Sequence, residues 1–242
     1  MSYSLRQHYL AKDAFFCLYG KHVVFLDLLS DRYTRLDSPH VELIHNLMRF
    51  QNDGSEGGPL HNGEKTNPSS DLIKLVERGL LTTDSASGKP VEPTIFDPPS
   101  RLLIGPDEDY SPPAEFRYLP AFLAANTAAV ARLKWWRIQK TVSAVEKRKA
   151  KGLERNPEFN IDAAKKLTAV FKKLRLLFPR NYLCLFDSLA LLEFLARYRV
   201  FPSWVFGVQL ERWGAHCWVQ EGPILFNDDL ERVSGYKPIM VV

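Results

Sequence analysis

The chain has 242 residues, 45 % of them hydrophobic and 25 % charged, with a formal net charge of +4. That is enough sequence for one large or two small domains with real cores. Three scattered cysteines, odd in number, exclude a disulfide scaffold, no apolar run approaches the ~20 residues of a membrane span, and the polar start MSYSLRQHYLAKD is not a secretory signal, so a reducing, cytoplasmic setting is expected.

The first strands are predicted from AFFCLYG and HVVFLDLL, which alternate or run apolar with aromatic and β-branched residues, and from RYTRLDS after Ser30-Asp31. They form a small three-stranded antiparallel sheet on this reading. Ser38 is placed to cap a helix with Pro39 at its first position and Val41, Ile44, Leu47 and Met48 as its buried stripe. The Gly-, Ser- and Asn-rich segment from Asn52 to Pro68 predicts a loop, after which Ser70 caps SDLIKLVERGLL with Leu72, Leu75, Val76 and Leu80 facing inward. This order suggests a winged-helix-like domain over residues 1–83. Duplex DNA binding is disfavoured, because the last helix offers Lys74 and Arg78 against Asp71 and Glu77, whereas a phosphate-facing helix is far more basic.

Residues 84–113 are crowded with prolines, which favour extended backbone, and read as a linker whose Thr94-Ile95-Phe96 could lie against a domain. Helical patterning follows over residues 114 to 148, interrupted at Pro120, with Phe122, Leu123, Val130, Leu133 and Trp136 apolar, and again over residues 160 to 178. The basic stretch 132–180 is read chiefly as solvated helix faces rather than a nucleic-acid surface; a docking face for an acidic partner is the third reading. Trp135 and Trp136 are expected to pack between helices.

The last quarter holds the chemistry. Cys184 opens the apolar segment CLFDSLALLEFLAR, and Asn181, just past Pro179, is the expected N-cap, which puts the thiol in the first helical turn. A free thiol with pKa ~8.5 is mostly protonated at neutral pH, and the positive end of a helix favours the thiolate that attacks. Asp187 opposes this mildly, so a base is required. His216 lies in the strand-like GAHCWVQ and Asp228 closes ILFND. A hairpin loop centred on Gly222 pairs Gln220 with Ile224 and His216 with Asp228, Cβ atoms ~5 Å apart on one face. The carboxylate then orients the imidazole that takes the thiol proton. A slip of one residue presents Asn227 or Asp229 instead. Cys217, alternating to the opposite face, and Cys17 read as core.

The stretch from Cys184 onward, with C-L-x-x-S-L-A-L, W-V-F-G-V, A-H-x-W-V and N-D in order, resembles the leader peptidase (B protein) of lasso peptide biosynthesis, a bacterial member of the transglutaminase-like, papain-related superfamily. The resemblance implies an α+β chain, its C-terminal domain over residues 114–242 having a helical lobe and an antiparallel sheet, with nucleophile, base and acid on Cys184, His216 and Asp228. It implies a cysteine protease that frees the core peptide's amine for macrolactam formation. More loosely, residues 1–83 resemble the recognition element of enzymes that modify ribosomally made peptides. There a leader peptide adds a strand to a sheet edge. The matching edge is Arg32, Tyr33, Thr34, Arg35 and Leu36, with Leu72, Leu75 and Val76 near the groove. The implied partners are the precursor and an asparagine-synthetase-like cyclase, through which any dependence on ATP would arise.

The sequence holds no G-x-x-x-x-G-K-[ST] loop, and His216 and Cys217, neighbours on a strand, cannot share an ion. The site is therefore expected to work without metal or intrinsic cofactor, and with no nucleic-acid or membrane partner. Acyl transfer to an amine by the same residues, or peptide binding without catalysis, are the alternative functions.

Overall fold

The computed structural model describes residues 8–53, 68–105, 116–155, 158–179 and 181–242, in two compact units, Met1–Ile95 and Phe96–Val242. The architecture is mixed α+β.

The first unit begins with β1 (Tyr9–Ala11), β2 (Ala14–Tyr19), β3 (His22–Asp27) and β4 (Arg32–Leu36), followed by α1 (Ser38–Asp53), α2 (Pro68–Glu77), β5 (Leu81–Thr82) and β6 (Gly88–Lys89). β2, β3 and β4 make the expected antiparallel sheet, with Phe16 paired to Phe25 and their rings 5.4 Å apart. A second sheet, in the order β5-β1-β6, was not foreseen, since its strands are too short to carry a pattern. The core gathers Leu10, Phe16, Phe25, Ile44, Leu47, Leu72, Leu75 and Leu80 between sheet and helices. α1 starts at Ser38 itself and α2 at Pro68, two residues before Ser70, because a proline's fixed φ suits a first helical turn. Most of the expected 52–68 loop lies outside the described residues.

The stretch read as a linker is divided between the units. Within the first, Val91 is buried in the core and donates its N–H to Gln51 Oε1 at 2.6 Å, and the Thr94 N–H donates to the Phe16 carbonyl on the outer side of β2 at 2.9 Å. Within the second, β7 (Arg101–Leu102) joins a sheet and Phe96 packs on its core. Proline-rich backbone is extended, and extended backbone pairs well at a sheet margin where few N–H groups are needed. Residues 106–115 lie outside the described residues.

The second unit continues through a 3-10 turn (Phe116–Tyr118) into α3 (Leu119–Trp135), α4 (Ile138–Arg155), α5 (Ile161–Arg175) and α6 (Cys184–Ala196). β8 (Ser203–Gln209), β9 (Gly214–Glu221), β10 (Ile224–Leu225), α7 (Leu230–Ser234) and β11 (Lys237–Val241) complete it. Pro120 sits in the first turn of α3 and starts that helix instead of interrupting one; the break comes at Trp136. Trp135 is 72 % exposed, not packed between helices, and Trp136 lies against the cations of Arg132 and Lys140. Asn160 caps α5 by accepting the Ala163 N–H at 2.9 Å.

The sheet runs β11-β8-β9-β10-β7. One face carries Val205 and Trp218, which meet Leu225, Val233 and Tyr236. On the other, Trp204 and Cys217 face α6, a helix apolar nearly all round and buried along its length. Its one buried charge, Glu193, bridges Arg132 and Arg148, the latter at 2.6 Å, so part of the basic stretch is structural instead of solvated.

Candidate active site

α6 starts at Cys184, with Leu183, not Asn181, as its N-cap in extended conformation. No cap side chain precedes it. Asp187 reaches back instead, and the Leu183 N–H donates to Asp187 Oδ2 at 2.7 Å. The other oxygen, Oδ1, accepts from Arg175 Nε at 2.6 Å; Arg175 is only 3 % exposed and stacks on Tyr182. The negative charge that the sequence sets against a thiolate is thus neutralised locally, and the Cys184 N–H is left at the open end of the helix.

The sheet brings the base to this helix end. His216 sits on β9 opposite Gly207 of β8 and packs its ring 5.1 Å from that of Tyr236. Gly207 is required at this crossing, because a Cβ there would come within 2.8 Å of the Trp218 ring and 3.0 Å of the Tyr236 Cβ. His216 Nε2 lies 2.5 Å from Asp228 Oδ2, leaving Nδ1 for the thiol, to which the imidazole is hydrogen-bonded.

The pairing of His216 with Asp228 matches the sequence reading, but the hairpin that delivers it differs. Ile224 pairs with Glu221 and Leu225 with Gln220, so Gly222 and Pro223 are the two central turn residues. Gly222 has φ +51°, and Pro223 is locked to negative φ, the sign pattern of a type II′ turn. Proline there loses no ladder N–H, so the two-residue turn costs the hairpin nothing. The ladder then ends: the Phe226 N–H donates to the Val219 carbonyl, while the Val219 N–H is taken by the side chain of Asn227, Oδ1, at 2.8 Å. Asp228 therefore reaches His216 from beyond the strand, its Oδ1 accepting the Asp229 N–H at 2.9 Å.

Cys217, expected to be a bystander, is part of the site. Alternation gave its face correctly, but that face is the one α6 covers. Its thiol lies 3.4 Å from Ser188 Oγ, which donates to the Cys184 carbonyl at 2.6 Å and accepts from Trp204 Nε1 at 2.9 Å. Cys184 is hydrogen-bonded by the Cys217 thiol, by His216 and by the Cys217 N–H. The first of these contributes most to holding the Cys184 pKa down at about 4, His216 next, against burial. Burial and the Cys184 sulfur push the Cys217 thiol well up, so it stays protonated and donates. For His216, burial pulls the pKa down, but hydrogen bonds to Asp228 and Cys184 outweigh it and lift it to about 9. Burial likewise raises Asp228, and the hydrogen bond from His216 and the Asp229 N–H more than reverse that. The resting pair is a thiolate beside an imidazolium, the state in which a cysteine attacks a carbonyl. No cluster of three or more His, Cys, Asp or Glu able to hold a metal occurs among the described residues.

Residues 124–241 match the profile of the transglutaminase-like superfamily. Domains of this superfamily cover cysteine protease and acyltransferase activities, and the superfamily usually carries cysteine-based catalysis. No match was found among curated proteins or solved structures. No helix among the described residues is long and apolar enough to cross a membrane.

In the first unit, Arg32 to Leu36 form β4, which pairs with β3 on one side and is the sheet's edge. Leu72 and Leu75, expected near a groove, are each 1 % exposed and belong to the core, and Val76 is half-buried. The helix rotates its leucines inward because the sheet needs them as cover. An open pocket of about 420 Å³ lies beside β4 instead, lined by Arg32, Thr34, Arg78 and Leu80 among others. Arg78 was legible only as a weak helix charge.

Proposed function

We propose that the protein is a cytoplasmic cysteine peptidase that binds the leader of a ribosomally synthesised precursor and cuts it from the core, as lasso peptide maturation requires. The observation that carries this reading is the Cys184 thiolate held against His216, itself oriented by Asp228, inside a transglutaminase-like domain.

In this mechanism the thiolate attacks the scissile carbonyl carbon. The oxyanion that develops accepts the Cys184 N–H at the start of α6. The imidazolium of His216 gives its proton to the departing amine, which leaves as the core's free N-terminus, and the leader stays on the sulfur as a thioester. The now neutral His216 takes a proton from water, the hydroxide adds to the thioester, and the leader departs with its carboxylate. Asp228 keeps Nε2 engaged throughout, so that Nδ1 always faces sulfur. The first unit supplies recognition as a winged-helix-like element: the leader adds a strand along β4, and its side chains reach the pocket of Arg32 and Arg78. An asparagine-synthetase-like cyclase is the partner that consumes the freed amine and brings any ATP chemistry.

The test is mass spectrometry of a candidate precursor incubated with wild type or Cys184→Ala, with and without cyclase and ATP. Cleavage at the leader–core boundary by wild type alone supports the reading. Transfer of the acyl group to an added amine would mark an acyltransferase, and an intact precursor in every reaction despite tight leader binding would mark a recognition module.

A further inference from the structure

Beside the nucleophile lies a pocket of about 220 Å³ whose walls come from α5, the turn before α6, α6 itself and the segment that carries Asp228. Phe171, Tyr182 and Leu191 make its apolar sides. Arg175 and Asp187 also line it but are spent on each other: the guanidinium serves Asp187, the Phe178 carbonyl and the Asn181 carbonyl, and the carboxylate serves Arg175 and the Leu183 N–H. Two groups remain. Lys172 enters no hydrogen bond or ion pair among the described residues. It is reached by solvent yet recessed enough that lost hydration lowers its pKa, with Asp228 acting in the opposite sense. Asn227 gives its Oδ1 to the Val219 N–H, which leaves its Nδ2 hydrogens without an acceptor among the described residues.

The pocket therefore presents an ammonium and two amide hydrogens, with no unengaged carboxylate, at the end of aromatic and aliphatic walls. The complement of that set is a group that only accepts, on a short apolar stem: a carboxylate side chain. Its size suits one residue, below the 300–1,000 Å³ or so of pockets for larger ligands. Its place in the chain is informative too. Tyr182 and Asp187 bracket Cys184, and Asn227 precedes Asp228, so whatever fills the pocket is joined closely to the carbonyl under attack.

We propose that this pocket is a specificity subsite for an aspartate or glutamate of the substrate close to the scissile bond, with Lys172 as the pairing cation and Asn227 as the second donor. The inference rests on Cys184 being the nucleophile.

The probes are acetyl-tripeptidyl chloromethyl ketones, from which the Cys184 thiolate displaces chloride to form a carbon–sulfur bond. Glu is scanned through the three positions against Gln and Lys, and labelling of Cys184 is timed by intact mass. At one position the Glu reagent labels wild type about tenfold faster than the Gln reagent, the scale of one charge-assisted hydrogen bond. Lys172→Glu inverts the order so that the Lys reagent leads, a gain that a misfolded variant would not give. Equal rates for Glu and Gln at every position, or a Glu preference that survives Lys172→Glu, overturns the subsite while leaving the nucleophile intact. Failure of every reagent to label Cys184 overturns the nucleophile, and the subsite with it.

Discussion

The two units treat their polar groups in opposite ways. Around Cys184 the groups nearest the thiol are engaged by others: Asp187 by Arg175 and a backbone N–H, Ser188 by the Cys184 carbonyl, the Cys217 thiol and Trp204, His216 by Asp228. Among the described residues, β4 is the edge strand of its sheet, and Arg32 and Arg78 have no ion-pair partner. A site that moves protons needs groups fixed before the substrate arrives, because reorganisation at the moment of reaction is costly. An edge that captures a peptide needs its hydrogen-bonding capacity left open.

If that division of labour is right, each unit can be disabled without the other. The largest effect is expected for Cys184→Ala, which lowers cleavage by about 10⁴-fold or more while leaving the dissociation constant for the leader unchanged, measured by single-turnover mass analysis and by titration of a labelled leader. Asp228→Asn keeps the geometry but weakens the hold on His216, and kcat/KM falls by about 10² to 10⁴. Glu193→Ala strands the Arg132 and Arg148 cations and destabilises the second unit by about 3 kcal/mol. All five tryptophans lie in that unit, so denaturant unfolding followed by tryptophan fluorescence reports it selectively.

The pH profile sharpens the comparison within the site. With Cys184 depressed to about 4 and His216 raised to about 9, thiolate and imidazolium coexist between those values. Below the lower limit the sulfur takes a proton, and above the upper one the imidazolium loses its own, so kcat/KM is bell-shaped. Cys217→Ala removes the largest stabiliser of the thiolate and moves the acid limb toward neutrality, leaving the alkaline limb in place; thiolate absorbance against pH checks the first and the pH profile of kcat/KM the second. The smallest effect is in the first unit: Arg78→Glu weakens leader binding a few-fold and more at low salt, with labelling of Cys184 unaffected.

What the sequence reveals of this site follows from what periodicity can carry. An apolar helix opening on cysteine, and two strands bearing His216 and Asp228, are patterns within short windows, so the catalytic candidates were legible. The turn was not, because the same Gly222-Pro223 pair permits more than one register and only tertiary pairing chooses. Alternation placed Cys217 on a face but could not say that α6 lies over it. Arg175 and Lys172 looked like members of one charged run, yet one is buried under Tyr182 and the other lines a pocket. Leu72 and Leu75 carried the same apolar signal whether they faced a core or a groove, and the sheet's need for cover decided between them.

Asn227 has a consequence for how the site responds to its substrate. It ends the hairpin ladder by lending a side-chain oxygen to the Val219 N–H, and it also walls the pocket beside Cys184. The residue that ties down the chain just before Asp228 is thus one that an occupant of the pocket touches. On the subsite proposed above, an occupant would bear on the tether that holds the chain one residue before Asp228, and through it on the partner of His216.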